Sequence, residues 1–165
     1  MCHSRLSGIL FAAKKDAGQA GMTKKGLIRC LHYYENIVNM PTKIKIIIGD
    51  VDLNGELFDT ETAKSIATSL PLETAINTWG DEFYFEVPVR TGLDRTATKN
   101  VKVGDIGYWP PGNALAIFFG PTPVSTGTDP VPASEVNIVG RVNGDATLLK
   151  KAKGKSICIS RLKED

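Results

Sequence analysis

Histidine is missing from most of this sequence. The two histidines, His3 and His32, both lie in the first forty residues, so residues 41–165 contain none. Without histidine, that part of the chain has no histidine general base, no Ser-His or Cys-His pair and few ways to build a catalytic metal site. We therefore predict neither a metal nor a cofactor.

Cysteine is also scarce. The chain has only Cys2, Cys30 and Cys158. An odd number at irregular spacing is neither a disulfide framework nor a set of zinc ligands. Free thiols are typical of reducing compartments, so this pattern predicts a cytoplasmic location.

Long hydrophobic runs and a strong charge of either sign are absent as well. No apolar stretch approaches the ~20 residues that a membrane-spanning helix needs. No clear secretory signal precedes or follows the short apolar run from Leu6 to Ala13. The formal net charge of +2 is too small to indicate nucleic-acid binding. We therefore predict no membrane and no nucleic-acid partner.

Charge divides the chain into two parts. Residues 1–40 hold six Lys and Arg against two acidic residues, whereas residues 41–165 hold fourteen against sixteen. We interpret residues 1–40 as an N-terminal extension, either disordered or not native, and residues 41–165 as one domain. Met40 leads directly into a predicted strand, so we hypothesise that it is the natural start, with Met22 as the alternative. Within the extension, the spacing in residues 27–38 is that of a short amphipathic helix.

Short strands with few helices are predicted for the domain. Residues 43–48 alternate and then become apolar, which is typical of a strand, and Asn54-Gly55 predicts a turn. Asp59-Thr60 is a helix N-cap signal, and the helix is expected to stop at Pro71. A hairpin is predicted from residues 72–79 and 82–87, closed at Gly80-Asp81.

The second half of the domain continues this pattern. Strands are predicted over residues 114–119, 136–142 and 155–162, with a short helix over residues 146–152. Residues 120–133 form a long irregular loop rich in proline, and loops of this kind are usually functional or mobile. Many short strands with only two helices favour a closed barrel.

Several stretches resemble the cyclophilins, the barrel family of peptidyl-prolyl isomerases. They are Asn54–Phe58 leading into Thr62–Ile66, Ala116–Phe119, and Val139–Asp145 leading into Leu148–Lys151. The run Gly104–Leu115, followed by Phe118–Pro123, is more specific and resembles the small cyclophilin-like proteins of prokaryotes. The resemblance implies a mainly β fold, a closed eight-stranded cyclophilin-like barrel with two short helices. That subgroup implies no settled activity.

The departures from the cyclophilin pattern concern the catalytic residues. Where cyclophilins have a catalytic arginine, the hairpin at residues 81–88 has none, and Arg90 and Arg95 fall in or beside the next loop. Ile117 stands where the family has a pocket glutamine, and only Phe119 matches a hydrophobic pocket residue. Ordinary prolyl isomerase activity is therefore not expected, and an atypical isomerase using Arg90 or Arg95 is the most that we expect of an enzyme here.

A binding groove on the outer face of the barrel is the function that we predict. Its ligand would be a peptide segment or a small amide-like molecule, because the carboxylates in the groove favour a cationic or amide-bearing ligand over phosphate. The alternatives are the atypical isomerase and a partner module of a larger enzyme, and a homo-oligomer is compatible with the exposed aromatic residues. The predicted ligand-binding residues are Glu82, Tyr84, Glu86, Tyr108, Trp109, Phe119 and Thr122.

Two simpler interpretations of these residues remain open. Tyr108 and Trp109 could plug a barrel end, and Glu82 and Glu86 could be solvated. Two carboxylates four residues apart on a strand are ~13 Å apart. That separation exceeds the spacing in a glycosidase pair.

Overall fold

A computed structural model describes residues 24–26, 28–29 and 40–163. The chain divides after Met40 into two units. Most of the predicted N-terminal extension, including most of the helix predicted over residues 27–38, lies outside the described residues. Residues 40–163 give the architecture that follows.

The domain is mainly β, with ten strands and one α-helix among residues 40–163. The strands are β1 (Thr42–Ile48), β2 (Val51–Leu57), β3 (Leu72–Ala75), β4 (Asn77–Thr78), β5 (Glu82–Glu86), β6 (Ala97–Thr98), β7 (Asp105–Trp109), β8 (Ala114–Phe118), β9 (Val136–Asn143) and β10 (Ser156–Arg161). Helix α1 spans Glu61–Thr68, and 3-10 helices span Pro110–Gly112 and Ala146–Lys151. No helix in these ranges is long and apolar enough to cross a membrane.

Helix α1 and the late 3-10 helix begin at the capping residues that the sequence indicates. The Thr60 hydroxyl accepts a hydrogen bond from the Ala63 N–H, and the Asp145 carboxylate accepts one from the Thr147 N–H. Each cap satisfies a backbone donor that the first helical turn leaves without a partner. The short helix predicted over residues 146–152 is therefore present, but in the tighter 3-10 form.

All ten strands belong to one antiparallel sheet. Its order is β3-β10-β1-β2-β9-β7-β8-β5-β4, and β6 pairs with β9 beside this path. The prediction of eight strands is wrong, because the strand predicted over residues 72–79 is split. β3 pairs with β10 and β4 pairs with β5, and residues 97–98 of a predicted loop form β6.

The predicted closed barrel is not confirmed by this pairing. The path of hydrogen-bonded strands has two ends, β3 and β4, with no ladder between them. These two strands follow each other in the chain, separated by Ile76, whose N–H donates to the Lys155 carbonyl at 3.0 Å.

The turn predicted at Asn54-Gly55 is wrong. Both residues lie inside β2, opposite Lys45 and Ile44 of β1, and the chain turns instead at Gly49-Asp50. Gly55 is needed for a close approach between strands, since a Cβ there would lie 2.8 Å from the Arg141 carbonyl oxygen. Gly49 takes the left-handed backbone conformation (φ 56°) that favours glycine in a tight turn.

Two separate apolar clusters cover the two faces of the strands. The main core collects the inward-facing residues of the sheet together with those of α1, among them Ile46, Phe85 and Ile117. A smaller cluster lies on the opposite face of β5, β7, β8 and β9. It consists of Val101, Ala116, Phe118 and Val136, with Tyr84, Trp109 and Ile138 packed against it.

Candidate functional site

Strand β5 separates its side chains between the two clusters by alternation. Phe83 and Phe85 point into the main core, so Glu82 and Tyr84 lie on the other face. The neighbouring strand β8 places Phe118 opposite Glu82 and Ala116 opposite Tyr84. Because Ala116 is small, space remains above it on this face of the sheet.

That space is a pocket with a volume of about 240 Å³. It is lined by Trp79, Glu82, Tyr84, Trp109, Ala116, Pro132, Ala133 and Val136. Three of the eight lining residues are aromatic, and only Glu82 carries a carboxyl group. An apolar pocket with few polar groups is the usual form of a small-molecule site.

A tight turn brings Trp79 beside Glu82. The Trp79 N–H donates to the Glu82 carbonyl at 2.9 Å, and Gly80 between them has a φ of 62°. The Asp81 N–H donates to the Pro121 carbonyl at 3.0 Å, which fixes the turn against the start of the 120–133 loop. The turn and the loop are thus held together at one end of the pocket.

The carboxyl group of Glu82 is buried, and one of its oxygens lacks a hydrogen bond from the described residues that would offset the loss of water. The residue is only 7% exposed, and its Oε2 has no hydrogen-bond partner among the described residues. Burial disfavours the charged form and raises the pKa of Glu82 from 4.5 to about 7. Glu82 therefore exchanges between its charged and neutral forms near neutral pH.

The loop that forms the wall of the pocket facing the sheet is held by two hydrogen bonds. The Trp109 Nε1–H donates to the Ser134 hydroxyl at 2.7 Å. The Thr122 hydroxyl donates to the Val131 carbonyl at 2.5 Å, joining the two ends of the loop that supplies Pro132 and Ala133. The pocket is therefore bordered by a loop with its own internal support.

Three of the seven predicted ligand-binding residues, Glu82, Tyr84 and Trp109, line this pocket together. Glu86, at the end of β5, is exposed and lies outside the pocket lining. Thr122 is buried and supports the loop through its bond to Val131 rather than lining the pocket.

Tyr108 and Phe119 lie in the main core instead. The Tyr108 hydroxyl donates to the Val89 carbonyl at 2.7 Å and accepts from the Thr91 N–H at 3.2 Å. The Phe119 ring packs against Phe83 with the ring centroids 4.6 Å apart. Strand alternation explains the first placement, because Tyr108 and Trp109 are adjacent and must face opposite sides.

Trp79, Ala116 and the Pro132-Ala133 segment are lining residues that sequence reasoning did not single out. Trp79 had a usable signal, because an aromatic residue beside the Gly80-Asp81 turn is placed near the start of β5. The alternation of β8 would have placed Ala116 beside Tyr84 once the strands were paired. Pro132 and Ala133 lie in the loop that was predicted to be functional or mobile.

The described residues contain no group of three or more His, Cys, Asp or Glu side chains that could hold a metal ion. Cys158, on β10, is free and half-buried. The chemistry that the pocket offers is therefore one carboxyl group among aromatic and aliphatic side chains.

Comparison with known proteins gives a family and two structural neighbours. A family model described as cyclophilin-like matches residues 42–160. The solution structure of a hypothetical protein from Archaeoglobus fulgidus is 34% identical, with a TM-score of 0.64, and the match covers 75% of this chain and 97% of that one. No curated protein matches the chain.

The second neighbour is the structure of McbB in complex with tryptophan. It is 15% identical to this chain, with a TM-score of 0.56, and the match covers 74% of this chain and 45% of McbB. At this identity the likeness concerns the fold alone.

Proposed function

We propose, on the premise that this chain belongs to the prokaryotic cyclophilin-like family, that its pocket binds a small amide-like molecule or a peptide side chain. The ligand would have an apolar, ring-sized body and an N–H group. The observation that carries the proposal is the buried Glu82 carboxyl: its Oε2 has no partner among the described residues, and Glu82 is one of the residues that line the pocket. A buried oxygen of this kind costs stability unless something else satisfies it.

The size and lining of the pocket support a ligand of this class. A cavity of roughly 150 Å³ can hold benzene, so a pocket of about 240 Å³ has room for one ring and a short polar arm. Trp79, Tyr84 and Trp109 offer aromatic surface to the ring. Glu82 offers an acceptor oxygen to the N–H group. McbB, which shares the fold, is described in complex with tryptophan, itself an aromatic molecule with an amino group.

Ordinary prolyl isomerase activity is not part of the proposal. Such catalysis needs a positioned donor or cation near the amide that twists. Arg90 and Arg95 are exposed and are not among the residues that line the pocket. We propose binding without ordinary isomerase catalysis for this reason.

The two tryptophans make the proposal easy to test. The chain has only Trp79 and Trp109, and both line the pocket, so tryptophan fluorescence reports on this site. We expect N-benzylacetamide, which has one ring and one amide, to change the emission in a saturable way. Calorimetry under the same conditions should give the same dissociation constant.

Two variants that each replace an alanine by leucine test whether the ligand binds in this pocket. Ala116→Leu fills the pocket floor and should weaken binding at least tenfold, whereas Ala75→Leu, at an exposed position of β3, should leave it unchanged. Circular dichroism checks that both variants fold. Equal affinity of the two variants, or no saturable binding of N-benzylacetamide to the unmodified chain, would contradict the proposal.

A further inference from the structure

We propose that the natural ligand enters the pocket as a cation, an aromatic or apolar primary amine, with the Glu82 carboxylate as its counter-ion and with release of one proton. This inference rests on the proposed function: it keeps the ring-sized body and the N–H group of the proposed ligand and replaces the neutral amide by a charged amine. It is argued from the charges around Glu82, from the aromatic lining and from the burial of the carboxyl.

Among the described residues, no cationic side chain lines the pocket beside Glu82. Lys, Arg and His are all absent from the described residues that line the pocket, and the one other titratable lining residue is Tyr84. Strands β4 (Asn77–Thr78) and β8 (Ala114–Phe118) flank β5, and neither strand contains a charged residue. A carboxylate formed in the pocket would thus face apolar strands on both sides.

The charged groups on the other elements near the pocket are already paired or exposed. Asp81 lies 2.8 Å from the Lys150 Nζ, and Asp129 of the 120–133 loop lies 2.9 Å from the Lys102 Nζ. At the start of β7, Asp105 lies 3.6 Å from the Arg141 Nε of β9. The remaining two acidic residues nearby, Glu86 and Glu135, are exposed. The described residues therefore supply no counter-ion to Glu82, and a ligand can bring one.

The aromatic lining favours the same charge. A cation close to the face of a tryptophan or tyrosine ring is attracted by the electrons of that face. The ring faces of Trp79, Tyr84 and Trp109 can therefore stabilise an ammonium group, an attraction that a carboxylate of the ligand does not share. An amine should bind better than an amino acid, because no positive side chain among the described lining residues can receive the α-carboxylate.

Proton release follows from the burial of Glu82. Burial raises the pKa of its carboxyl to about 7, so below neutral pH the empty pocket holds a protonated group. An ammonium ion favours the charged carboxylate, and its entry therefore expels the proton. Affinity for an amine should rise with pH until Glu82 is fully ionised.

Three probes of the same size separate charge from shape. They are 2-phenylethylamine, which stays protonated up to pH 8.5, neutral 2-phenylethanol and anionic 3-phenylpropanoate. We expect the amine to bind at least tenfold more tightly than the alcohol at pH 8, and the anion to bind most weakly. Between pH 5.5 and 8.5 the dissociation constant of the amine should fall about 30-fold, as the ionised fraction of a group with a pKa of about 7 rises.

Matched variants on one strand test the role of Glu82. Glu82→Gln should abolish the preference for the amine and its pH dependence, and it should keep the binding of 2-phenylethanol. Glu86→Gln, an exposed residue on the same strand, should behave like the unmodified chain. Calorimetry at pH 6 in two buffers of different ionisation enthalpy should show about one proton released per amine bound, and none with Glu82→Gln.

The outcomes distinguish this inference from the proposed function. If the alcohol binds as tightly as the amine, or if Glu82→Gln leaves the amine affinity unchanged, the inference is wrong and the binding of a small ring-containing ligand still stands. If N-benzylacetamide fails to bind, the proposed function is wrong, and if 2-phenylethylamine also fails to bind, this inference is wrong as well.

Discussion

Asn137 on β9 and Glu82 on β5 are two buried polar side chains whose surroundings differ in one respect. Asn137 is fully buried and receives a hydrogen bond from the Asp94 N–H at 2.9 Å, while its amide donates to the Gly92 carbonyl at 2.9 Å. Glu82 is 7% exposed, and its Oε2 has no partner among the described residues. One side chain is satisfied inside the protein, and the other borders a pocket.

The same contrast separates two carboxyl groups. Burial acts to raise the pKa of Asp94, but hydrogen bonds from Thr62 and Thr96 outweigh it and hold the pKa below its usual value. Glu82 experiences burial without such bonds, and its pKa rises to about 7. Hydrogen bonds to the charged form therefore decide the direction of the pKa shift.

This comparison indicates what each region does. The cluster of Thr62, Asp94, Thr96 and Asn137 joins helix α1, the loop after β5 and strand β9 through bonds that are already made. It stabilises the fold and leaves little for a ligand to add. In the Glu82 region, a buried acceptor has no partner among the described residues, and the residue lines a cavity, so a ligand can offset the cost in stability.

Removing the hydrogen-bonded side chain of Asn137 should have the largest effect on the free energy of unfolding. Asn137→Ala removes the partner of the Asp94 N–H and of the Gly92 carbonyl in two part-buried hydrogen bonds and leaves a hole at a fully buried position, so we expect the free energy of unfolding to fall by about 3 kcal/mol. Urea denaturation measures this change. Asn143→Ala, at an exposed position of the same strand, is the control and should change stability by less than about 0.5 kcal/mol. A loss at Asn137 no greater than at Asn143 would contradict the role given to the cluster.

The Glu82 carboxyl should make the free energy of unfolding depend on pH. The pKa of Glu82 is higher in the folded chain than its ordinary value of 4.5. Its stabilising contribution is therefore complete below that value and is lost as pH rises through about 7. Between pH 5 and 8.5 the unmodified chain should lose about 2–3 kcal/mol relative to Glu82→Gln. Urea denaturation across this range gives the difference, and Glu86→Gln should retain the pH dependence of the unmodified chain.

Asp94 should have a smaller effect on the pH dependence of stability, and its contribution should change with pH in the opposite direction to that of Glu82. Because its pKa is lowered on folding, its contribution is present above its ordinary value of 3.8 and is lost as pH falls through the folded value. Asp94→Asn should cost about 1 kcal/mol at pH 7, and this cost should shrink in acid. Unfolding curves at pH 7, 4 and 3 measure the trend, with the exposed turn residue Asp50 changed to Asn as control. A cost that grows in acid would refute the comparison with Glu82.

Local signals in the sequence predicted much of the secondary structure. Thr60 and Asp145 cap their helices as expected, and the alternation in residues 83–85 identifies the core face of β5. These features depend on residues close in sequence, so they can be inferred without the fold. The prediction of a turn at Asn54-Gly55 was wrong because Gly55 is required by a contact distant in sequence. Gly55 allows the close approach of the Arg141 carbonyl on strand β9.

The candidate site was harder to predict for the same reason. Tyr84 and Trp109 could be proposed from strand alternation and from aromatic character, and both line the pocket. Phe119 was proposed from the resemblance to cyclophilins, and it packs in the main core against Phe83. Ala116 becomes a lining residue only through its pairing with Tyr84, since a small side chain leaves space only where larger neighbours surround it.

By itself, the sequence determined the family, the mainly β character of residues 41–165 and the absence of histidine chemistry from them. These follow from composition and from patterns along the chain. Only the tertiary structure decided which polar groups are satisfied: strand pairing and loop packing bury both Asn137 and Glu82, and they provide partners for one and not for the other. The identity of a binding carboxyl therefore depends on groups far apart in the sequence, because desolvation and hydrogen bonding are properties of the assembled surroundings.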